Sequence, residues 1–412
     1  MKKASIISVG NEILSGRTVD ANCAYLSARL LSMGIPVVSA YTSRDDTEAI
    51  VRSLELACAD ADVVVTTGGL GPTEDDLTRN AVAEFLGVEL EIRPGLVAEL
   101  ERFFVRRGLR MPERNRIQAY VPAGAEPIEN SLGTAPGIRV ETKGKLLFVL
   151  PGVPSEMKGM FEGSVVGQVE QFGGGQFVVV KRLRCFGAGE STIAEMVGGI
   201  MERGRNPLVN CTVNQDGITL DIVATSENRE MAAEMAAKDE EVLRARLGDL
   251  VFGTGEQILG EVVGQELSRQ GKTLAVAESC TGGLVAKLLT DVAGASRYFR
   301  CGWVTYDNRA KMAELGVGAE LIERYGAVSE EVSRAMAAGA RREAGVDFAI
   351  GITGIAGPTG ATEQKPVGLV YISVDFHQGC DTKRCTFPQD RASVRRRAAL
   401  TALNMVRLKL KA

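Results

Sequence analysis

Five short runs, residues 4–9, 62–67, 146–150, 274–277 and 347–352, most constrain how this chain can fold. They are mostly apolar and lack the strict in–out alternation of a strand with one wet face, so they read as strands buried on both sides. Amphipathic stretches separate the early ones. Residues 22–31 read as a helix closed by Met33-Gly34, residues 37–41 as a strand, and residues 47–57 as a helix opened by Asp45-Asp46. Repeated strand–helix–strand units with continuous apolar strands specify an α/β fold, a doubly wound parallel sheet with helices on both faces.

Breaker clusters punctuate the rest. Gln171-Phe172-Gly173-Gly174-Gly175 and Phe252-Gly253-Thr254-Gly255 divide the chain into expected domains 1–170, 171–253 and 254–412. The middle segment carries two strand patterns (177–185, 217–225) and two helical ones (191–201, 229–247), a small α+β module. The last segment alternates again. It has a helix at 257–270, strand 274–277, helix 284–290, a strand at 301–306, helix 330–344, strands 347–352 and 367–374, and a basic helix 391–408.

Composition excludes several classes of function. A chain of 412 residues with 45% hydrophobic and 24% charged side chains predicts two or three globular domains. Its net charge of -4 argues against a broad nucleic-acid surface. No apolar run reaches membrane-spanning length, and Met1-Lys2-Lys3 runs directly into a strand pattern, so a cytoplasmic protein with no membrane partner is expected. The eight cysteines are scattered and predict free thiols. The single histidine, His377, lies in a polar turn, which leaves Lys, Tyr or a carboxylate as the base for any hydrolysis and oxygen ligands for any metal.

The chemistry concentrates at strand ends. Residues 273–277 end in Glu278-Ser279-Cys280-Thr281-Gly282-Gly283, ahead of a helical stretch. A hydroxyl and a thiol thus sit where a strand meets a helix N-terminus, a favourable place for a nucleophile and its oxyanion. The same residues also suit a helix cap beside a buried thiol. Two glycine loops, residues 67–73 (TGGLGPT) and 353–359 (TGIAGPT), share five of seven positions and each follows an apolar strand. Such loops bring backbone N–H groups close to an anion, or simply end a strand tightly. After the first loop, Asp75 and Asp76 could help hold a divalent cation or cap the next helix. Gly10 and Glu12 end the first strand, and Asn22 follows soon after.

The segments 9–16 (VGNEILSG), 67–76 (TGGLGPTEDD) and 150–157 (LPGVPSEM) resemble the molybdopterin-binding-like domain of the CinA family. Residues 277–283, with Tyr306, Lys311 and Ile355-Ala356-Gly357-Pro358, resemble that family's C-terminal nicotinamide-nucleotide amidohydrolase domain. The middle module is similar to a KH-type domain. Its Gly187-Ala188-Gly189-Glu190 departs from a G-x-x-G clamp, so a structural or dimerisation role is expected there.

The resemblance implies two activities. The C-terminal domain would deamidate nicotinamide mononucleotide (NMN) to nicotinate mononucleotide and ammonia without a cofactor. Ser279 would be the nucleophile and Lys311 the base, with Tyr306 relaying a proton and the backbone of Thr281, Gly282 and Gly283 holding the oxyanion. Gly354, Ile355, Ala356, Gly357 and Arg391 would bind the phosphate. Cys280 is the rival nucleophile, since a thiol at a helix N-terminus is readily activated. The N-terminal domain would cleave ADP-ribose to AMP and ribose 5-phosphate with Mg, Mn or Co. Gly10, Glu12, Asn22, Gly68, Gly69, Gly71, Pro72 and Thr73 would line that site, and Asp75 and Asp76 would take the metal. A homodimer is implied as well. The other reading is a non-catalytic nucleotide- or molybdopterin-binding regulatory protein tied to competence and DNA damage.

Overall fold

The computed structural model describes residues 2–173, 177–387 and 390–411. Gly174 and Gly175 of the first breaker cluster, and Pro388 and Gln389 before Arg391, lie outside the described residues. The chain forms two compact units, Met1–Val179 with Ala224–Glu234, and Val180–Val223 with Met235–Ala412.

In the first unit, strands Val37–Ser43, Ala4–Val9, Val63–Thr67 and Lys145–Leu150 lie parallel in that spatial order. Gly137–Thr142 and then Glu126–Ile128 extend the sheet antiparallel. The expected all-parallel sheet is therefore mixed. Three of its four parallel strands are those with the apolar runs, while Val37–Ser43 at the edge alternates in burial, and the antiparallel strands arrive by a two-residue turn at Lys143-Gly144, with φ of 50° and 73°. Two apolar layers cover the faces. Ile7, Val64 and Leu147 pack with Ile50 and Leu54 on one side; Ile6, Val65 and Phe148 pack with Leu26 and Leu30 on the other.

In the second unit, strands Phe299–Val304, Leu274–Glu278 and Phe348–Gly354 are parallel, and Leu369–Phe376 and Gly379–Thr386 continue antiparallel. The helix Arg391–Lys411 buries Val394, Ala398, Leu403 and Val406 against one face. The helix Glu330–Ala344 covers the other through Val332, Met336 and Ala340. The strand expected at 301–306 ends at Val304, so Tyr306 falls beyond it. His377 lies exposed in the final hairpin turn, as its polar setting predicts. In the middle module, Leu208–Asn214 and Gly217–Ser226 form an antiparallel hairpin. The run taken as a breaker at 252–255 is largely a strand, Val251–Thr254, paired with Leu183–Cys185.

Both sheets reverse direction of growth at one point. The chain leaves Ala4–Val9 for a neighbour on one side and returns to Val63–Thr67 on the other. It leaves Leu274–Glu278 for Phe299–Val304 and returns to Phe348–Gly354. A crevice for ligands opens at the carboxyl ends of the strands beside such a switch. Val9-Gly10 with Gly68, and Ser279 with Gly354, stand at these two positions.

Candidate active site

Ser279 follows directly on the buried strand Leu274–Glu278, and its N–H donates to the Ile352 carbonyl at 3.0 Å. The turn closes through Gly282 N–H to the Ser279 carbonyl, 3.1 Å. Gly282 and Gly283 have φ of 60° and 91°, successive left-handed values that glycine adopts without a Cβ penalty. The fully buried Glu278 carboxylate faces the following helix. Its Oε2 accepts from the N–H groups of Gly283 (2.9 Å) and Val285 (3.1 Å), and its Oε1 from Ala286 (2.8 Å).

This corrects the expected oxyanion site. The N–H groups of Gly282 and Gly283 are already engaged, and the protein's own carboxylate occupies the helix N-terminus. Among the described residues, the N–H groups of Cys280 and Thr281 have no carbonyl or carboxylate acceptor. Of these two, Cys280 lies on the cleft beside Ser279 and is placed to meet an oxyanion, whereas Thr281 is fully buried.

Lys311, on the helix Asn308–Leu315, is 1% exposed. Its Nζ donates to the carbonyls of Thr305 (2.8 Å) and Tyr306 (3.4 Å) and lies 3.3 Å from Ser279 Oγ. Burial pulls its pKa below the usual lysine value, against the opposing pull of Asp307 and Cys280. A neutral amine has two N–H donors and one lone pair. With the two carbonyls taking the donors, the lone pair is left for the Ser279 hydroxyl proton.

Cys280 belongs to the apolar cluster of Val276, Val285 and Val394 and is 5% exposed. Burial pushes its thiol up to about 12, so little thiolate forms at neutral pH.

A cleft of about 330 Å³ is lined by Ser279, Cys280, Tyr306, Lys311, Gly354, Ile355, Ala356, Gly357 and Arg391, with Asn308 and Thr359 also on its wall. Thr281, Gly282 and Gly283 do not line it. Arg391 donates to the Gly357 carbonyl (2.7 Å) and to the Tyr306 hydroxyl (2.9 Å). The phenol is thus tied to Arg391 and has no hydrogen bond to Ser279 or to the Lys311 amine among the described residues. The contact of Tyr306 with Lys311 is through its carbonyl. The Ile355 N–H is spent on the Leu369 carbonyl at 2.8 Å, which leaves Ala356 and Gly357 as the N–H groups of that loop without a carbonyl acceptor.

In the first unit, Gly68 (φ 106°) passes so close to the first strand that a Cβ there would lie 2.2 Å from the Val9 carbonyl oxygen. Gly69 is pinned by Thr78, and a Cβ on Gly71 would meet Asp76 at 2.3 Å. The two glycine loops share residues but differ in backbone: Gly68 and Gly69 have positive φ in one, Gly357 in the other. Asp76 turns back to accept from the N–H (2.9 Å) and hydroxyl (2.5 Å) of Thr73, closing the loop over Pro72. The Glu12 carboxylate folds over Gly10. The Asn22 amide donates to Thr67 Oγ1 (3.0 Å) and the Gly152 carbonyl (2.8 Å), while its buried Oδ1 has no partner.

Sequence reasoning passed over Asp45, which takes the Asn11 N–H at 2.9 Å. Burial raises its pKa, and the charges of Glu12, Asp75 and Asp76 raise it further. Among the described residues no group of three or more His, Cys, Asp or Glu side chains forms a metal cage. The acidic, all-oxygen set fits the magnesium mode, in which one or two carboxylates share the ion with water and substrate phosphates. Arg79, also passed over, is buried and donates to the carbonyls of Leu70 (3.0 Å) and Gly71 (2.8 Å).

Comparison with known proteins places these segments. Residues 5–171 match the family model described as probable molybdopterin binding domain, 180–253 the damage-inducible protein CinA KH domain, and 256–410 the CinA C-terminal domain. A CinA-like protein of Kosmotoga olearia is 41% identical over 98% of this chain and 98% of its own length. A CinA-like protein of Dictyoglomus thermophilum is 40% identical with the same coverage of both. A crystal structure of a competence/damage inducible protein from Agrobacterium tumefaciens covers 37% of this chain and 94% of its own, at 38% identity and a TM-score of 0.36. Among the described residues no helix is long and apolar enough to cross a membrane. With this identity sustained from end to end, the chain belongs to the CinA family, as a molybdopterin-binding-like domain, a KH module and a CinA C-terminal domain in succession.

Proposed function

We propose that the second unit hydrolyses the carboxamide of NMN to nicotinate mononucleotide and ammonia. The observation that carries this reading is the buried amine of Lys311 at 3.3 Å from Ser279 Oγ, beside a cleft edged by Arg391. Lys311 takes the hydroxyl proton as Oγ bonds to the carboxamide carbon. The Cys280 N–H meets the oxyanion. As the carbon–nitrogen bond breaks, the Lys311 ammonium protonates the departing nitrogen, releasing ammonia. Water then adds to the acyl-enzyme, giving its proton to Lys311, and the carbon–Oγ bond breaks with return of that proton to Oγ. Arg391, held by Tyr306 and Gly357, and the Ala356 and Gly357 N–H groups take the phosphate. Incubation with NMN is expected to release ammonia and nicotinate mononucleotide in equal amounts. Ammonia without the nucleotide acid, or no product at all, would end this reading.

A second activity has its own support. The buried Asn22 Oδ1 has no partner, the glycine loop is crowded against the first strand, and the charges of Glu12, Asp75 and Asp76 act on Asp45. There the first unit would cleave ADP-ribose to AMP and ribose 5-phosphate. A divalent ion at Asp75 and Asp76 would supply charge neutralisation at the pyrophosphate. The loop held by Arg79 would orient that group. Cleavage of ADP-ribose that persists in Ser279→Ala but vanishes in Asp75→Ala supports it; persistence in both variants would defeat it. The alternative of a purely nucleotide- or pterin-binding regulator predicts retained ligand and no products. The homodimer expected for the family is likewise a proposal, testable by sedimentation.

A further inference from the structure

A second cavity in the same unit, of about 570 Å³, lies between the hairpin turn at Asn214-Gln215 and the first turns of the helix Arg391–Lys411. Three consecutive arginines, Arg395, Arg396 and Arg397, line one wall. Their charge is poorly balanced. Arg396 pairs with Asp216 across the hairpin turn, its Nε at 2.8 Å. Arg395 spends Nε (3.1 Å) and Nη2 (2.7 Å) on the Thr281 carbonyl and keeps Nη1 free of any protein partner among the described residues. Arg397 is exposed and, among the described residues, has neither hydrogen bond nor ion pair. The side-chain amide of Gln215 on the opposite wall is also unpaired there. The cavity is thus rich in donors and poor in acceptors, which suits a phosphate oxyanion. Leu284 and Val213 add an apolar surface, and the volume lies in the range of small-molecule sites.

We propose that this cavity binds a nucleoside phosphate, with its phosphate on Arg395 and Arg397 and its base against Leu284 and Val213. It is separate from the amide cleft. Arg391 begins the same helix but is turned to Tyr306 and Gly357, whereas Arg395 and Arg397 come a turn later. Arg395 also joins the two, because the carbonyl it holds belongs to Thr281 in the Ser279 turn. Occupancy therefore changes how firmly that turn is held. Binding stands independently of the deamidase reading, and so does the relay when read by hydrogen exchange. Only the consequence for turnover rests on that reading.

The test is calorimetric titration of the full chain with AMP in buffer containing a chelator, which withholds the metal from the first unit's nucleotide site, and in an Arg391→Ala background that removes the phosphate anchor of the amide cleft. Adding Arg397→Ala or Gln215→Ala, both exposed positions, is expected to weaken AMP binding about tenfold, the scale of one lost charge-assisted contact. Isotherms that superimpose on the Arg391→Ala parent would overturn the site. Inorganic phosphate binding as tightly as AMP would overturn the nucleoside assignment. AMP is further expected to slow hydrogen exchange at the amides of residues 280–283, and Arg397→Ala to abolish that slowing. Unchanged exchange in the AMP-bound parent would overturn the relay.

Discussion

Replacing Lys311 by Met removes the amine while keeping an unbranched stem in a position 1% exposed. The reaction would lose the group poised to take the Ser279 proton. General-base catalysis contributes roughly 10²–10⁴-fold, equivalent to about 3–5 kcal/mol of barrier. Folding has opposing contributions. The Thr305 and Tyr306 carbonyls lose a donor that now lies at 2.8 and 3.4 Å. Each unsatisfied carbonyl costs about 1–3 kcal/mol, and removing a buried amine gives part of that back. The net change in stability should be about 1–2 kcal/mol. Ammonia release from NMN should therefore fall by at least about a hundredfold in a folded protein, followed by a coupled ammonia assay beside urea unfolding. The pH dependence has a definite sign. Lys311 acts as a neutral amine, and burial lowers its pKa, so the rate should rise with pH and level off below the usual lysine value. Turnover by folded Lys311→Met within a few-fold of wild type, or a wild-type rate that falls through the neutral-to-alkaline range, would refute the reasoning.

Other outcomes follow from the same geometry. Tyr306→Phe frees Arg391 of its 2.9 Å partner and should raise KM for NMN several-fold with kcat largely kept; a collapse of kcat alone would restore the phenol as a proton relay. Glu278→Gln replaces an acceptor of three N–H groups by an amide that must turn a donor toward one of them, and should cost about 2–4 kcal/mol in urea unfolding. Gly68→Ala forces a side chain to 2.2 Å from the Val9 carbonyl at φ 106° and should destabilise the first unit by at least about 2 kcal/mol, read in its own unfolding transition. A chelator should abolish ADP-ribose cleavage and leave NMN deamidation unchanged, measured side by side on one preparation.

Most of the parallel strands were legible because burial on both faces writes a continuous apolar run, and every such run became a strand. The antiparallel additions were not. Gly379–Thr386 has one mostly exposed face and reads as Gly-Cys-Asp-Thr-Lys-Arg-Cys-Thr, with too little apolar pattern to mark an edge strand. The helix Pro94–Arg106 and the strand Gly137–Thr142 were not among the expected elements either, whereas the helix Thr78–Leu86 follows Asp75-Asp76 as their capping pattern implies. At the candidate site, Ser279 and Lys311 could be named from sequence, but their separation depends on two strand ends and a helix meeting. Glu278 was invisible for a physical reason. A lone acid after an apolar strand has no periodic signal, and its partners are backbone N–H groups of a turn whose shape is set by Gly282 and Gly283. Arg395 is similar, since its partner is a carbonyl rather than a charged residue.

The most direct measurement is ammonia release from NMN by Ser279→Ala and Cys280→Ala proteins, compared with wild type after both are confirmed folded. The account predicts near-complete loss in Ser279→Ala and a rate close to wild type in Cys280→Ala, whose thiol lies in the apolar core. Wild-type turnover by Ser279→Ala, or loss confined to a folded Cys280→Ala, would contradict it.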